Sequence, residues 1–422
     1  MGNANKFFGA GQRRAQTRLK HAILESYLAA FAGKTGSKSP GGNVGFLDGY
    51  AGPGSDTNKA TGVVVDGSPR IALRVARHLG FINPPKTLHC VFVEASRKNF
   101  TQLKALLESA PGVDTLALHG KITAHVEEAM ARFDGMPALV FLDPYGVGLD
   151  QVNVLRTVLG RPGNQPTELM LNFSLEAVRR AGPFVKKPEG FPRRAGLLKT
   201  MDTWLGGDWW QPIMLDTDPD DEDAVDRAAN DIAGGYAERL AKAAGCDVFT
   251  VPMRRSATHK ALFSLILFHP RAYAKYPYNE AVSLAQKEWR ETMRGIEIER
   301  AERELEKDPS RGSAHVEDAR QLTKLEEVQL ELDWVDTIYD NLKHAILKRG
   351  SVSMKNDFDL IFDGVRGLAR GTHFRKAWDR LADEELVEMC RPHTKYEWAV
   401  IVRKVGASGV TFRGNQSVVK EE

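Results

Sequence analysis

Three short apolar runs in the first third of the chain each end on an acid. Gly45-Phe46-Leu47 runs into Asp48 and the loop Gly49-Tyr50-Ala51-Gly52-Pro53-Gly54, Val91-Phe92-Val93 runs into Glu94, and Ala138–Leu142 runs into Asp143. Short apolar runs bounded by turn residues read as strands buried on both faces, and helical patterns lie between them. Strands alternating with helices at this spacing restrict the fold to a parallel sheet covered on both sides, with the acids along one edge. Glycines after the first acid let backbone N–H groups approach a ligand, which is how α/β nucleotide-binding domains begin.

The flanking segments extend the pattern. Ile23, Leu24, Tyr27, Leu28 and Phe31 fall on one helical face, and residues 33–42 read as a Gly/Ser/Lys linker. Strands are expected at 44–47, 88–93, 115–118, 138–142 and 168–172, with helices between them, one over about 124–132. Ser68 is expected as an N-cap with Pro69 at the first helical position. Residues 248–251 and 262–268 read as two neighbouring strands forming an antiparallel edge. An insertion rich in Trp, Pro and acids separates them from the fifth strand, at about 180–245.

At 422 residues the chain exceeds the usual limit of one core, so two or three domains are expected. The pattern divides it into a basic arm (1–19), a Rossmann-like doubly wound α/β domain (20–290), a charged helical linker broken near Asp308-Pro309 (291–332), a small unit (333–404) and a disordered tail (405–422). The small unit shows an amphipathic helix with Ile338, Leu342, Ile346 and Leu347, a second helix near 374–386, and a strand pair at 386–389 and 397–402. Helix, helix and hairpin give a winged-helix reading, a unit that reads nucleic acid or serves as a plain packing module.

No apolar run reaches transmembrane length, and no signal peptide is evident at the start, so a cytoplasmic protein without membrane attachment is expected. Gly2 lacks the Ser or Thr a myristoylation signal needs, since Lys6 stands there. Cys90, Cys246 and Cys390 are far apart, which fits inert thiols in a reducing cytosol and not a disulfide framework or a zinc site. The net charge of +3 conceals a basic start (Lys6, Arg13, Arg14, Arg18, Lys20) and a basic stretch (Arg179, Arg180, Lys186, Lys187, Arg193, Arg194, Lys199). An acidic loop follows, from Asp216 through Asp218, Asp220, Asp221 and Glu222 to Asp223. Basic surface of this kind suits an anionic polymer; the competing reading is a solvated face.

Two phosphate motifs fail on inspection. Gly33-Lys34-Thr35 has Leu28 where a P-loop needs glycine, and Thr57 stands where a dinucleotide fingerprint needs its third glycine. The acidic run departs from a calcium loop at Asp221 and Arg227. S-adenosylmethionine, or a related nucleoside, fits what remains, because it has no pyrophosphate to neutralise. Asp48 with Gly49, Tyr50, Ala51, Gly52 and Gly54 would hold the methionyl part, and Glu94 would accept the ribose hydroxyls. Capping or loop roles compete for both acids. Lys121 stands where many such enzymes place an acid near the adenine. Asp143-Pro144-Tyr145 is the expected catalytic turn: the carboxylate accepts an N–H from an exocyclic amine, and the aromatic stacks on a base. A tight turn shaped only for packing is the alternative. Asn172-Phe173-Ser174 would line the pocket, with Ser174 more simply read as a helix cap. No metal is expected.

With these segments and Gly67-Ser68-Pro69 in view, the chain resembles the three-Cys-motif partner protein family (TcmP) over roughly residues 20–290, and its C-terminal part is similar to that family's winged-helix-like domain. The resemblance implies a class I methyltransferase-like fold in a bacterial or phage protein, and a partner bearing three cysteines. Asp143-Pro144-Tyr145-Gly146 is also similar to the Asp-Pro-Phe-Gly turn of tRNA guanine-N2 methyltransferases, and lacks the second proline of the adenine and cytosine N-methyltransferases. The leading expectation is S-adenosylmethionine-dependent modification of an exocyclic amine in DNA or RNA. The alternatives are a non-catalytic nucleic-acid-binding partner of a cysteine-rich metalloenzyme, or transfer of a group other than methyl.

Overall fold

The computed structural model describes residues 12–57, 64–144, 151–162, 165–254, 260–307, 314–404, 410–412 and 418–420. The chain separates into two compact units, Met1–Arg271 and Ala272–Glu422. The division thus falls earlier than residue 290, because the helix that follows it, Lys275–Lys307, is one continuous element.

The first unit opens with helix α1 (Gln12–Gly36), which runs through Gly33 and Lys34, so the expected linker shrinks to a short turn before the sheet. The strands follow as β1 (Asn43–Asp48), β2 (Thr87–Glu94), β3 (Thr115–His119), β4 (Ala138–Leu142), β5 (Thr167–Ser174), β6 (Asp247–Met253) and β7 (Phe263–His269). Helices α2 (Ser68–Phe81), α3 (Arg97–Glu108), α4 (Ile122–Ala131) and α5 (Gln151–Leu159) connect the first five. The insertion forms α6 (Leu175–Ala181), α7 (Arg194–Leu205), α8 (Gln211–Leu215) and α9 (Glu222–Ala244).

The sheet order is β3-β2-β1-β4-β5-β7-β6. Strands β1 to β5 are parallel, and β7 enters antiparallel between β5 and β6. A mixed seven-stranded sheet in this order, with that one reversed strand, is the arrangement of class I methyltransferases. The order reverses direction between β1 and β4, which makes their carboxyl ends the topological switch point where α/β sheets bind ligands. Strands β4 and β5 are buried along their whole length; β4 is apolar at every position, while β5 buries Thr167, Glu168, Asn172 and Ser174 among its apolar residues.

The insertion is part of the core and not an appendage. Trp204 of α7 and Tyr236 of α9 are buried, and Phe173 of β5 stacks on Trp204 with ring centroids 4.6 Å apart and lies 5.2 Å from Tyr236. Asp221 of the acidic loop caps α9 by accepting from the Asp223 and Ala224 N–H groups.

The second unit begins with α10 (Lys275–Lys307) and α11 (Ala314–Arg349). The expected break at Asp308-Pro309 lies outside the described residues. Helix α11 carries residues 314–349 without interruption, so no boundary falls at 332/333. Its charged half is bound to α10: Glu327 accepts from Arg290 and Arg294, and Lys287 pairs with Glu331. Strand β8 (Ser351–Ser353), helices α12 (Phe358–Ile361) and α13 (Gly371–Asp383), and strand β9 (Val400–Val402) follow. The expected pairing of 386–389 with 397–402 reduces to one bridge, Val387 to Arg403, and β9 pairs with β8 instead. In the tail, expected to be disordered, Val410–Phe412 and Val418–Lys420 form a short antiparallel pair.

Candidate active site

Asp48 is the last residue of β1 and fully buried. Its Oδ1 accepts the Tyr50 N–H at 3.0 Å, while Oδ2 has no hydrogen-bond partner. Burial is the largest influence on this carboxyl and pushes it up to about 7; the Ser68 hydroxyl and the Tyr50 N–H work in the other direction, and the nearby charge of Asp143 adds to the rise. Ser68 is therefore not the N-cap that its position before Pro69 suggests. Gly67 occupies the cap position, and the Ser68 side chain makes no cap hydrogen bond but is buried near Asp48.

The glycine loop after Asp48 is tied to neighbouring strands through its backbone. The Gly49 N–H donates to Phe141 O and the Ala51 N–H to Val93 O, both at 3.0 Å. The Gly52 N–H donates to Glu94 Oε2 at 2.8 Å, and the Ser96 N–H donates to Oε1 at 2.6 Å. Glu94, nearly buried at the end of β2, thus fastens the loop as well as facing the site. Each carboxylate oxygen has a second lone pair, so these bonds leave capacity for a diol.

Two glycines are left-handed for different reasons. Gly52 has φ 65° and open space where a Cβ would project, whereas Gly54 has φ 84° and a Cβ there would meet Leu106 Cδ2 at 2.3 Å. Open space at Gly52 is a cradle; the crowding at Gly54 is a packing constraint. Tyr50 packs against the core cluster that contains Tyr236, a buried residue whose hydroxyl has no hydrogen-bond partner and whose acidity burial suppresses.

Asp143 follows β4 and sits one strand over. The Asn172 amide of β5 donates to its Oδ1 at 2.8 Å, and the Lys20 ammonium of α1 donates to its Oδ2. Both members of that ion pair are mostly buried, with side chains 12% and 23% exposed. Pro144 is buried, and Tyr145 lies outside the described residues, as does Gly146. Ser174 caps α6 by accepting the Ala177 N–H at 3.1 Å, as its position suggests. Lys121 is exposed, at the N-cap of α4.

The N-terminal helix was expected from its apolar face, but its reach into the site through Lys20 and His21 was missed by sequence reasoning. Lys20 reaches Asp143, and the neighbouring His21 places Nδ1 3.1 Å from Asp66 O. Burial, then the Lys20 charge, lowers His21 to about 4, so it is neutral at neutral pH. A signal was present. Lys20 precedes Leu24, Tyr27 and Phe31 by four, seven and eleven residues, so the cation stands on the buried face one turn before the apolar stripe.

Among the described residues no His, Cys, Asp and Glu cluster could hold a metal ion. No described helix is long and apolar enough to cross a membrane. The three cysteines are free; burial pushes Cys90 up strongly and Cys246 to about 11, which leaves both as thiols.

No family model matches the chain, and no curated protein matches it. Among solved structures, the crystal structure of protein LPL1258 from Legionella pneumophila, of the family DUF519, is similar at TM-score 0.37 and 8% identity, over 60% of this chain and 84% of that one. A likeness this distant adds nothing to the strand order.

Proposed function

We propose that the first unit is an S-adenosylmethionine-dependent transferase of the methyltransferase type, acting on an exocyclic amine of a base in DNA or RNA. The observation that carries the reading is Asp48 Oδ2: a fully buried carboxylate oxygen with no partner, at the switch point of a class I methyltransferase sheet. A buried acceptor without a donor costs stability, and a cationic amino group of a ligand would supply both the donor and the charge.

The residues present fit that cofactor. Asp48 would take the amino group, the open Gly52 backbone would allow close approach, and Glu94 would accept the ribose hydroxyls. When bound, a sulfonium cofactor supplies an electrophilic methyl carbon. This chain's own contribution to transfer is orientation. Asp143 accepts an N–H of the acceptor amine, Asn172 fixes the rotamer of Asp143 through Oδ1, and Tyr145 stacks on the base. The winged-helix reading of residues 333–404 and the basic stretches would supply affinity for the polymer.

One observation favours a second reading. The Lys20 ammonium already takes Asp143 Oδ2, where the acceptor N–H would bind, and this suits a non-catalytic nucleic-acid-binding scaffold that recruits a cysteine-rich partner.

Isothermal calorimetry of the full chain with S-adenosylmethionine and S-adenosylhomocysteine tests the first reading. One-to-one binding, weakened at least about tenfold in Asp48→Asn, supports it; no heat at millimolar ligand overturns it. Mass spectrometry of nucleosides from cells with and without the protein then separates methyl addition, addition of a larger group, and the absence of modification that a scaffold requires.

A further inference from the structure

We propose that segment 180–199 is a docking track for single-stranded nucleic acid; the inference rests on the reading that the site acts on a base in a polymer. The segment leaves the same sheet edge as the site, since α6 begins directly after β5, whose Asn172 holds Asp143. Between residues 179 and 199 there are seven lysines and arginines and one acid, Glu189. Two of the seven are spent on the fold: Arg179 pairs with Asp226, and Arg194 lies half-buried, its guanidinium 3.4 Å from Val185 O. Arg180, Lys186, Lys187, Arg193 and Lys199 are exposed. Apart from a 3.9 Å contact of Arg180 with Glu176, none of these five forms an ion pair with a described residue.

The acidic loop does not neutralise them. Asp221 is 3.7 Å from Arg227, and Glu222 and Asp223 hold Lys260 at 3.2 and 3.1 Å. An uncompensated run of cations is an electrostatic footprint for phosphates.

Among these cations stands Phe191, 40% exposed. It is held edge-on against Phe184 with ring centroids 6.0 Å apart, and Lys187 Nζ lies 5.6 Å from its ring. Its backbone is fixed on both sides: the Phe191 N–H donates to Pro188 O and the Arg194 N–H donates to Phe191 O, both at 3.1 Å. Gly190 and Arg193 flank it in the left-handed region, with φ 87° and 67°. For arginine that conformation is uncommon. A fixed aromatic face among free cations stacks an unpaired base while the cations follow its backbone. A duplex hides its base faces, so the committed occupant is a single strand.

Fluorescence anisotropy of the full chain, without added cofactor, tests this with labelled oligo(dT) and oligo(rU) of about 20 nucleotides and a duplex of the same length. The triple variant Lys186→Gln/Lys187→Gln/Arg193→Gln should weaken single-strand binding at least about tenfold and flatten the slope of log affinity against log salt by about two. Phe191→Ala should weaken it about fivefold or more and leave that slope unchanged. Tighter binding of one oligonucleotide assigns the strand as DNA or RNA. Unchanged binding by both variants overturns the proposal, as does duplex binding stronger than single-strand binding. Circular dichroism melts confirm that the variants are folded. Because no cofactor is present, failure of S-adenosylmethionine binding leaves this measurement intact, and the reverse also holds.

Discussion

Asp48→Asn should make the first unit more stable, by an amount that grows with pH. The folded chain holds the Asp48 carboxyl at about 7 against an ordinary value of 3.8, so the native state binds this proton more tightly than the unfolded state. For a group raised on folding, stability is fully present below the unfolded value and falls as the pH rises towards the folded one. The total loss is about 4 kcal/mol, of which about 3 kcal/mol falls between pH 5 and pH 8. Asparagine keeps the acceptor for the Tyr50 N–H and carries no charge to desolvate. Other buried groups also shape the wild-type profile. Glu168, buried with the Tyr27 hydroxyl on its Oε2, is also raised to about 7, while buried His21 and His373 are lowered to about 4 and lose stability in the opposite direction. The difference between variant and wild type cancels those groups. Urea unfolding at pH 5, 6.5 and 8, followed by near-ultraviolet circular dichroism, should show the gap widening by about 3 kcal/mol. A gap that stays constant over this range would refute the reasoning, since Asp48 would then not titrate there.

Three further outcomes follow from the same geometry. Glu94→Gln turns one acceptor into a donor that faces a backbone N–H, so it should cost roughly 2–3 kcal/mol and speed amide exchange at Gly52 or Ser96, as read by mass spectrometry. Gly54→Ala should destabilise by roughly 2–4 kcal/mol through the Leu106 contact and the backbone strain, against about 1 kcal/mol for Gly52→Ala, where only the backbone objects. A calorimetric affinity for S-adenosylhomocysteine that falls more for Gly52→Ala than for Gly54→Ala would agree with Gly52 as the cradle. Lys20→Met leaves Asp143 largely buried without its cation and should cost roughly 2–3 kcal/mol at pH 8; Lys20→Met/Asp143→Asn should recover most of it.

How far the sequence carried depended on whether the deciding force was local. Residues 138–142 were legible to the residue because burial on both faces favours apolar side chains and all five residues of this strand are apolar. Ser174 was legible as a cap because the signal lies within three residues of its partner. Ser68 misled for the same reason. A serine before Pro69 looks like a cap, but Gly67 takes the cap position and Ser68 becomes the first helical residue, buried near Asp48. Strand β8 was invisible because Ser351–Ser353 has a single apolar residue, and it exists through β9, some fifty residues later. Helix α11 hid its own continuity: its first half is charged to meet α10, and its second half is apolar to meet α13, so one helix reads as a linker and a domain.

The electrostatics of the switch point limit what the site can accept. Three carboxylates converge on one edge of the sheet, and each is satisfied differently. Glu94 holds two backbone N–H groups, and Asp143 holds the Lys20 ammonium and the Asn172 amide. Only Asp48 keeps an unpartnered oxygen, and its carboxyl is the one that burial and the Asp143 charge push up to about 7. A neutral guest gains nothing by meeting a half-protonated acid there. A guest with an ammonium drives Asp48 to ionise and should expel about half a proton at pH 7. Calorimetry in buffers of different ionisation enthalpy reads that release directly. S-adenosylhomocysteine should show it in the wild type and not in Asp48→Asn. A proton count of zero in the wild type would mean that the cationic end of the ligand sits elsewhere, even if the ligand binds.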